Sequence, residues 1–337
     1  MILILSTDSD YSTKEVMQWL MRWKVPVIRL NDNDVFRYPL RFKIGKALTF
    51  EININKKWIS SENINVVWFR KFGFFDQYEG YSELKKNLGI DYCYRVSAEQ
   101  RKILNLIART LKTKHWLCKY SAAGLNKFDV LQKALEVGLN TPYSIITNSK
   151  HELLSDPSLA KRCIITKGAG DIMYVDLDET TLLTTLTTDI TKYTNELPNL
   201  FFPSLIQNKI QKQFELRVFY LDGKTYSMAI FSQRNKQTET DFRNYDRKTP
   251  NRWVPYQLPL TIEEKVTNLM NLLDLNTGSL DFLYTVNGEY IFLEVNPAGQ
   301  FGMVSSPCNY NLEKEVAKYL SEQNSKHETH KGKAKIY

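Results

Sequence analysis

Two acidic residues, Asp281 and Glu294, lie in a predicted β-hairpin near the C-terminus of the chain. Asn287-Gly288 is a strong signal for a two-residue type I′ turn, and counting back from that turn brings Asp281 opposite Glu294. The two-residue period of a strand then places Asn296 on the same face as Glu294. Like charges directly opposite each other destabilise a sheet unless a cation lies between them. Mg²⁺ fits this position, since it is typically held by one or two protein carboxylates together with substrate phosphates.

The same register pairs Val286 with Glu289 at the end of the hairpin. A solvent-facing hairpin that carries two unrelated acids is the alternative interpretation. The neighbouring side chains are apolar on both faces, which favours a buried sheet. We therefore expect three metal ligands: Asp281, Glu294 and Asn296.

Two lysines and a glycine loop could bind phosphate. Lys167 follows a strand predicted over residues 163–166 and directly precedes the loop Gly168-Ala169-Gly170. The loop alone is a weak signal, because the chain has no GxxxxGK[ST] motif. Together with Lys127 and the acidic hairpin it forms a set suited to polyphosphate, in which lysines contact phosphate oxygens and Mg²⁺ bridges the β and γ oxygens. Lys127 taken by itself could instead be a solvated residue at the start of a helix.

Two arginines are candidates for a catalytic role together with Lys167. Arg217 lies on a predicted strand between apolar neighbours, and Arg234 directly follows another strand. Arginines on inward-facing strands near a triphosphate are well placed to hold the oxygens that are transferred. The alternative for both is a structural ion pair with Glu215 or Glu239.

The order of predicted elements indicates a small α/β layer followed by two further blocks. In the first third, strands are predicted at 2–5, 26–30 and 65–70, helices at 13–24 and 95–112, and a meander at 40–60. The second block begins near residue 115 and contains a helix with Asn126 as its N-cap. The third block is mostly sheet, with strands predicted at 205–210, 215–221 and 225–232.

Two segments are predicted to be mobile. Residues 171–200 adjoin the glycine loop and are a candidate flap. The last helix is predicted over 311–321, and the polar, lysine-rich tail from Ser321 is expected to be disordered.

Length and composition limit the class of protein. A chain of 337 residues is long for one core, so two or three subdomains are expected. The net charge of +8 suits anionic ligands such as nucleotides or acidic peptides. No RNA-binding or helix-turn-helix signature accompanies the scattered charge, which disfavours nucleic acid.

The cysteines and the apolar segments indicate a cytoplasmic location. The four cysteines form no CxxC pair and are expected to be reduced thiols. Residues 1–5 are too short for a signal peptide and are predicted to be a buried strand. No apolar run approaches the length of a membrane helix, so no membrane partner is expected.

The order of these motifs resembles the ATP-grasp superfamily over roughly residues 115–320. The resemblance implies that ATP lies between two α+β subdomains, with Lys127 and Lys167 on its phosphates and Mg²⁺ as the metal. It also implies a hinge at Gln207–Ile210 whose backbone, around Lys209 and Ile210, pairs with adenine. The nucleotide-binding residues implied in this way are Lys127, Lys167, Gln207, Lys209, Ile210 and Glu215.

The resemblance also implies the fold class and the domain boundaries. The fold is expected to be α/β and α+β. An N-terminal pre-ATP-grasp α/β domain is expected over 1–114, a small central subdomain over 115–204 and a C-terminal antiparallel-sheet subdomain over 205–320. The tail is then 321–337.

Segments of the first 130 residues resemble the graspetide maturases, which include microviridin-type ligases and the grasp-with-spasm group. The motifs are Val66-Val67-Trp68-Phe69-Arg70-Lys71 and His115-Trp116-Leu117, followed by Asn126-Lys127. Two positions depart from the family pattern: Cys118 stands where Asn is common, and Asn208 stands where Glu is usual.

This resemblance implies an ATP-dependent macrocyclase. Its partner would be a ribosomally made precursor peptide with a leader and a core, in which Asp or Glu side chains are joined to Thr or Ser, or to Lys, through an acyl phosphate. The flap at 171–200 is the candidate contact for the leader, and a homodimer is left open.

Two alternatives remain at this point. A ligase that joins a carboxylate to an amine on a small molecule or amino acid would share every ATP-binding residue. A nucleotide-sensing protein without turnover would be expected to lack a lysine or a metal ligand, and none is missing here.

Overall fold

The computed structural model describes residues 1–333 except 55, 74, 160–161, 169–173, 177–181, 185 and 245. The helices are α1 Tyr11–Arg22, α2 Asp34–Arg37, α3 Tyr81–Thr110, α4 Lys127–Glu136, α5 Lys150–Ser155, α6 Leu260–Leu272, α7 Gly302–Cys308 and α8 Leu312–Lys333. The strands are β1 Ile2–Ser6, β2 Val27–Asn31, β3 Leu40–Ile44, β4 Leu48–Ile54, β5 Lys57–Ser60, β6 Val66–Phe69, β7 His115–Leu117, β8 Ser144–Ser149, β9 Ile164–Lys167, β10 Tyr174–Asp176, β11 Leu182–Thr184, β12 Thr188–Asp189, β13 Leu200–Asn208, β14 Lys212–Leu221, β15 Lys224–Phe231, β16 Arg252–Tyr256, β17 Thr277–Thr285 and β18 Tyr290–Asn296.

The N-terminal part is a parallel four-stranded sheet in the order β2-β1-β6-β7. Its central strands β1 and β6 are almost entirely apolar runs without alternation, as expected for strands that are buried on both faces. Helices α1 and α8 pack on one face, and the apolar side of α3 packs on the other. The meander β3-β4-β5 lies at the edge of this layer. The predicted α/β layer is therefore confirmed, although α3 begins fourteen residues before the predicted position of 95.

The central part is a small antiparallel sheet in the order β12-β9-β13-β8. It has its own hydrophobic cluster, formed by Leu153, Leu159, Ile164 and Ile206. Asn126 caps α4 as predicted, since its side chain accepts a hydrogen bond from the Phe128 amide at 2.8 Å.

The C-terminal part is a five-stranded antiparallel sheet in the order β16-β15-β14-β17-β18. It shares two hydrophobic clusters with the N-terminal sheet. In one of them Ile4 and Trp68 belong to the same cluster as Phe219 and Phe301. The first and third predicted domains thus have a common core, whereas the exact boundaries between domains stay a prediction.

The acidic hairpin has the predicted pair but not the predicted turn. Gly288 has a positive φ of 83° and Asn287 does not, so the loop is not type I′. The amide of Thr285 donates to the carbonyl of Glu289, which encloses a three-residue loop, so the predicted Val286–Glu289 pairing is wrong. A bulge at Leu293 adds one residue to β18 and restores the register, and Asp281 therefore lies opposite Glu294.

The end of the chain differs from the prediction. Helix α8 continues to Lys333, so the predicted disordered tail from Ser321 is wrong for residues 321–333. Asn324 is buried, and its side-chain oxygen accepts a hydrogen bond from the Asn65 amide group at 3.1 Å. None of the described helices has the combination of length and apolar character that crossing a membrane requires.

Candidate functional site

A cavity of about 680 Å³ lies between the central sheet and the C-terminal sheet. Both of the predicted hairpin carboxylates line it, as do the strand-end lysine and the whole predicted hinge. The predicted site residues on its wall are Lys167, Gln207, Lys209, Ile210, Glu215, Asp281 and Glu294. The structure thus brings most of the predicted site into one place.

Asp281 is fixed by Arg217, its neighbour across β14 and β17. The Nη1 atom of Arg217 donates to both carboxylate oxygens of Asp281, at 2.8 and 2.7 Å. Burial raises the pKa of Asp281, and the charge of Arg217 opposes that shift. Arg217 therefore pairs with the candidate metal ligand, and neither Glu215 nor Glu239 is its partner.

Glu294 is surrounded by cations. Its carboxylate lies 3.1 Å from Nζ of Lys127 and 3.4 Å from Nη1 of Arg243. Burial on its own would raise the pKa of Glu294, but the charges of Lys127, Lys167 and Arg243 outweigh burial and lower it. Glu294 is consequently an ionised carboxylate, which suits a metal ligand.

Arg243 is a residue that sequence reasoning missed. Asp241 holds it through a contact of 2.7 Å and keeps the guanidinium charged. It lies between β15 and β16 in a segment with neither helix nor strand, where no periodicity marks it. The predicted Arg234 belongs to the same connection, but it is exposed and does not line this cavity.

The two predicted phosphate lysines enter the site from different elements. Lys167 ends β9, and burial lowers its pKa while the charge of Glu294 raises it. Lys127 is the first residue of α4, and its contact with Glu294 disfavours the interpretation as a merely solvated residue. In the glycine loop, Ala169 and Gly170 lie outside the described residues.

The hinge offers unused hydrogen-bond acceptors. The Gln207 side chain donates to Ser144 Oγ at 2.7 Å, whereas its Oε1 atom is buried and accepts no hydrogen bond from the described residues. The same holds for Oδ1 of Asn208. The Lys209 amide donates to the Cys163 carbonyl at 2.8 Å, so this amide is already engaged.

Glu215 is buried at the edge of the cavity. It accepts from Lys212 Nζ at 2.7 Å and from Ser232 Oγ at 2.9 Å. Burial raises the pKa of Glu215, and Lys212 opposes the shift.

A second cavity of about 450 Å³ borders the other side of the hairpin. Lys127 and Asn296 line this cavity, and Glu294 lines both cavities. The structure therefore places the three predicted metal ligands along the boundary between the two cavities. Two carboxylates and an amide oxygen are hard donors that fit Mg²⁺. Within the described residues no group of three or more His, Cys, Asp or Glu side chains could hold a metal ion, so the amide is an essential part of the candidate set.

Arg70 holds the turn that follows β18. Its Nη1 atom donates to the carbonyls of Ala298 and Gly299, at 2.6 and 2.8 Å. Its Nε atom donates to Asp10 at 3.2 Å. The turn next to the candidate metal ligands is therefore anchored to the N-terminal sheet.

Cys118 occupies an unusual backbone conformation at the wall of the second cavity. Its φ of 58° lies in the left-handed region, where Asn is tolerated better than most residues. This conformation is compatible with Asn, the residue that the resemblance described above implies for this position. Burial raises the pKa of the Cys118 thiol to about 12, so the thiol stays protonated and is a poor nucleophile.

Comparisons with known proteins identify the fold. No family model and no curated protein matches the sequence. Among solved structures, the macrocyclase MdnC from Microcystis aeruginosa MRC, bound with precursor peptide MdnA, matches with a TM-score of 0.80 and 22% identity over 96% of this chain and 100% of that one. A RiPP-associated ATP-grasp ligase from Chryseobacterium gregarium, in complex with ADP and a leader and core peptide, matches with a TM-score of 0.78 and 23% identity over 95% of each chain. The chain has the ATP-grasp fold.

The ATP-grasp ligase PsnB, complexed with a phosphomimetic variant of its minimal precursor, Mg and ADP, is similar as well. It matches with a TM-score of 0.70 and 14% identity over 96% of this chain and 98% of that one. All three matches include the N-terminal sheet, so the predicted pre-ATP-grasp domain belongs to the shared fold. The fold class predicted from the sequence is confirmed.

Proposed function

We propose that this protein is an ATP-dependent peptide macrocyclase, an ADP-forming ligase. It would join a Thr or Ser hydroxyl to an Asp or Glu carboxyl group of one ribosomally made precursor peptide, forming an ω-ester, or an ω-amide where a Lys amine reacts. The observation that carries the proposal is the position of Glu294, which lines both a nucleotide-sized cavity and a second cavity beside the N-terminal sheet. The likeness over almost the whole chain to ligases solved with precursor peptides supports a peptide as the substrate.

The first cavity is the proposed ATP site. The free side-chain oxygens of Gln207 and Asn208 can accept hydrogen bonds from the adenine amine. Lys167 and Lys127 lie at the hairpin end, where they can contact phosphate oxygens. Lys209, Ile210 and Glu215 complete the proposed nucleotide contacts.

Asp281, Glu294 and Asn296 are the proposed ligands of Mg²⁺. When bound there, the ion would supply positive charge to the β- and γ-phosphate oxygens. Arg217 fixes the orientation of Asp281 by donating to both of its oxygens. We propose that it acts as a positioning residue and that Arg243, which contacts Glu294, has the role expected for Arg234.

The proposed reaction has two displacements. A carboxylate oxygen of the peptide attacks the γ-phosphorus of ATP, the bond to ADP breaks, and an acyl phosphate forms. The Thr or Ser oxygen then attacks the acyl carbon, and phosphate leaves with the hydroxyl proton. Lys167 and Arg243 can stabilise the oxygens that gain charge, so positioning and electrostatics carry the reaction.

Three further features of the proposal concern partners and location. The flap at 171–200 stays the candidate contact for the leader, although residues 171–173, 177–181 and 185 lie outside the described part of the chain.

A cytoplasmic location is proposed because the reaction consumes ATP and the thiols are expected to be reduced. A homodimer is an open proposal, and light scattering after size exclusion measures it directly.

Mass spectrometry of a candidate precursor tests the proposal. A peptide encoded beside the gene, with a leader and a core rich in Thr or Ser and in Asp or Glu, is incubated with the protein. We expect the mass to fall by one water for each bond formed, only when both ATP and Mg²⁺ are present. Removing the leader should lower the rate strongly, because binding energy from the remote leader positions the core.

The outcome also separates the alternatives. Release of phosphate together with joining of free amino acids, while every such peptide stays unmodified, would favour a small-molecule ligase. ATP binding without any turnover would favour a nucleotide sensor.

A further inference from the structure

The second cavity lies where ligands commonly bind in a parallel sheet. Its wall includes residues directly after β6 and β7, the two strands at one side of the N-terminal sheet. In open α/β sheets, ligands bind in the crevice outside the carboxyl ends of the strands. The opposite wall is the end of the acidic hairpin, with Glu294 and Asn296. The cavity therefore joins a typical ligand position to the phosphate end of the proposed ATP site.

The basic side chains on the wall of the second cavity differ in whether they have partners. Arg70 is fully engaged by Asp10 and two backbone carbonyls, and Lys127 contacts Glu294. Lys71 also lines the cavity, yet it has neither an ion pair nor a hydrogen bond with any residue that the structure describes. Burial lowers the pKa of Lys71 and the neighbouring charge of Arg70 lowers it further, whereas the charge of Asp10 acts in the opposite direction. A half-buried ammonium group that forms no ion pair with the described residues is stabilised when an anion binds beside it.

The other walls suit the aliphatic part of an acidic side chain. Phe72, Leu125 and Val130 contribute apolar surface to it. Lys71 and Glu294 line the same cavity, so a carboxylate bound beside Lys71 would lie in the cavity that borders the phosphate end of the proposed ATP site.

We propose that the second cavity binds the Asp or Glu side chain that is to be activated, and that Lys71 binds its carboxylate. The inference rests on the proposed function and deepens it by assigning the acid of the peptide to a particular site. Lys71 is the specificity-determining residue in this assignment, since it distinguishes an acid from its amide.

A substitution series on the full-length protein tests the assignment. Lys71→Met removes the charge and keeps the length of the side chain. We expect the KM for the precursor to rise about 10- to 100-fold, as for the loss of one charge-assisted hydrogen bond. The affinity for ATP with Mg²⁺ should not change, and Lys71→Arg should restore most of the KM. Lys119→Met is the matched control, because Lys119 pairs with Asp274 on the surface and does not line the cavity.

A double-substitution cycle identifies the group that Lys71 contacts. Changing the reacting acid of the core to its amide should weaken binding to the wild type in competition assays. The same change should have little additional effect on Lys71→Met, because the contact is already lost. Additive effects, or an unchanged KM for Lys71→Met, would overturn the assignment while the macrocyclase function stands.

A labelling experiment tests anion binding at Lys71 without requiring catalysis. In the presence of ADP and Mg²⁺, glutarate should slow the acetylation of Lys71 by a succinimidyl ester, measured by peptide mapping, and neutral glutaramide should not. Protection of Lys71 in a protein that cyclises no peptide would keep the anion site and reject the proposed function. Equal labelling of Lys71 with glutarate and glutaramide would reject the site.

Discussion

Glu294 is the side chain on which the proposed chemistry depends most directly. It contacts a lysine from α4 and an arginine from the connection after β15, and it lines both cavities. Three cations hold its pKa low, which favours the ionised form of the carboxylate. A carboxylate stabilised in this way can exchange its cationic neighbours for a metal ion when ATP brings its own negative charge.

Glu294→Gln should abolish ADP formation and leave the fold intact. The amide keeps the shape of the side chain and removes only the charge that a divalent cation needs. Phosphate release and the thermal midpoint should be measured on the same preparation. ADP release close to that of the wild type would remove Glu294 from the metal site.

Lys127→Ala and Lys167→Ala should each weaken ATP binding by about 1.5–3 kcal/mol, the range for hydrogen bonds to charged groups. Titration calorimetry with a non-hydrolysable ATP analogue measures the loss. Lys133→Ala is the control, since Lys133 lies on the same helix and reaches the carbonyl of Leu272 instead of the cavity. Unchanged affinity in both site variants would contradict the predicted pair of phosphate lysines.

Residue types and spacing predicted one part of the site well and another part poorly. Asp281 and Glu294 lie opposite each other as predicted because the bulge at Leu293 offsets the extra residue in the loop. Neither the loop length nor the bulge was part of the prediction. Arg243 was missed because only its contacts with Asp241 and Glu294 distinguish it from Arg234. Such contacts depend on the conformation of the connection between β15 and β16, which has no sequence periodicity and cannot be predicted from the local sequence.

At the scale of elements, the turn after β18 connects the N-terminal sheet to the hairpin that carries the proposed metal ligands. Arg70 reaches from the end of β6 to the carbonyls of Ala298 and Gly299 and to Asp10. Gly299 has no room for a side chain, since an added Cβ atom would lie 2.5 Å from Cβ of Ser279. The backbone after the proposed metal ligands therefore packs closely against Ser279 on β17.

Arg70→Leu should destabilise the protein by about 3–5 kcal/mol, because the buried Asp10 carboxylate loses its cationic partner and the carbonyls of Ala298 and Gly299 lose a donor. Denaturant unfolding measures the change. Arg37→Leu is the matched comparison, since Arg37 pairs with Glu79 at an exposed position and should cost at most about 1 kcal/mol. Equal effects of the two substitutions would show that the Arg70 contacts do not hold the turn.

The prediction for the C-terminal segment failed because its composition favours disorder whereas its packing favours a helix. The segment from 321 to 333 is polar and lysine-rich, which favours disorder in isolation. In the structure it continues a helix whose earlier residues Leu312, Val316 and Leu320 are buried, and Asn324 extends this buried side. A contact with Asn65, 259 positions away, cannot be read from the local pattern.

At the scale of the whole molecule, nucleotide binding should close the space between two sheets. Cys163 is exposed and lines the proposed ATP cavity, whereas Cys93, Cys118 and Cys308 are buried. We expect iodoacetamide to modify Cys163 first and ATP with Mg²⁺ to slow that reaction several-fold. Mass mapping of the alkylated peptides gives the rate at each thiol. Equal rates with and without nucleotide would contradict a nucleotide site beside Cys163.

The core that the first and last parts of the chain share has a consequence for biosynthesis. One face of the N-terminal sheet, with Ile2, Ile4 and Trp68, is covered by residues 301–320. Until residues 301–320 have been synthesised and have emerged from the ribosome, this part of the face stays open to water or to a chaperone. β1 is therefore fully buried only after α7 and α8 have been made, and a chain truncated before them would expose an apolar surface.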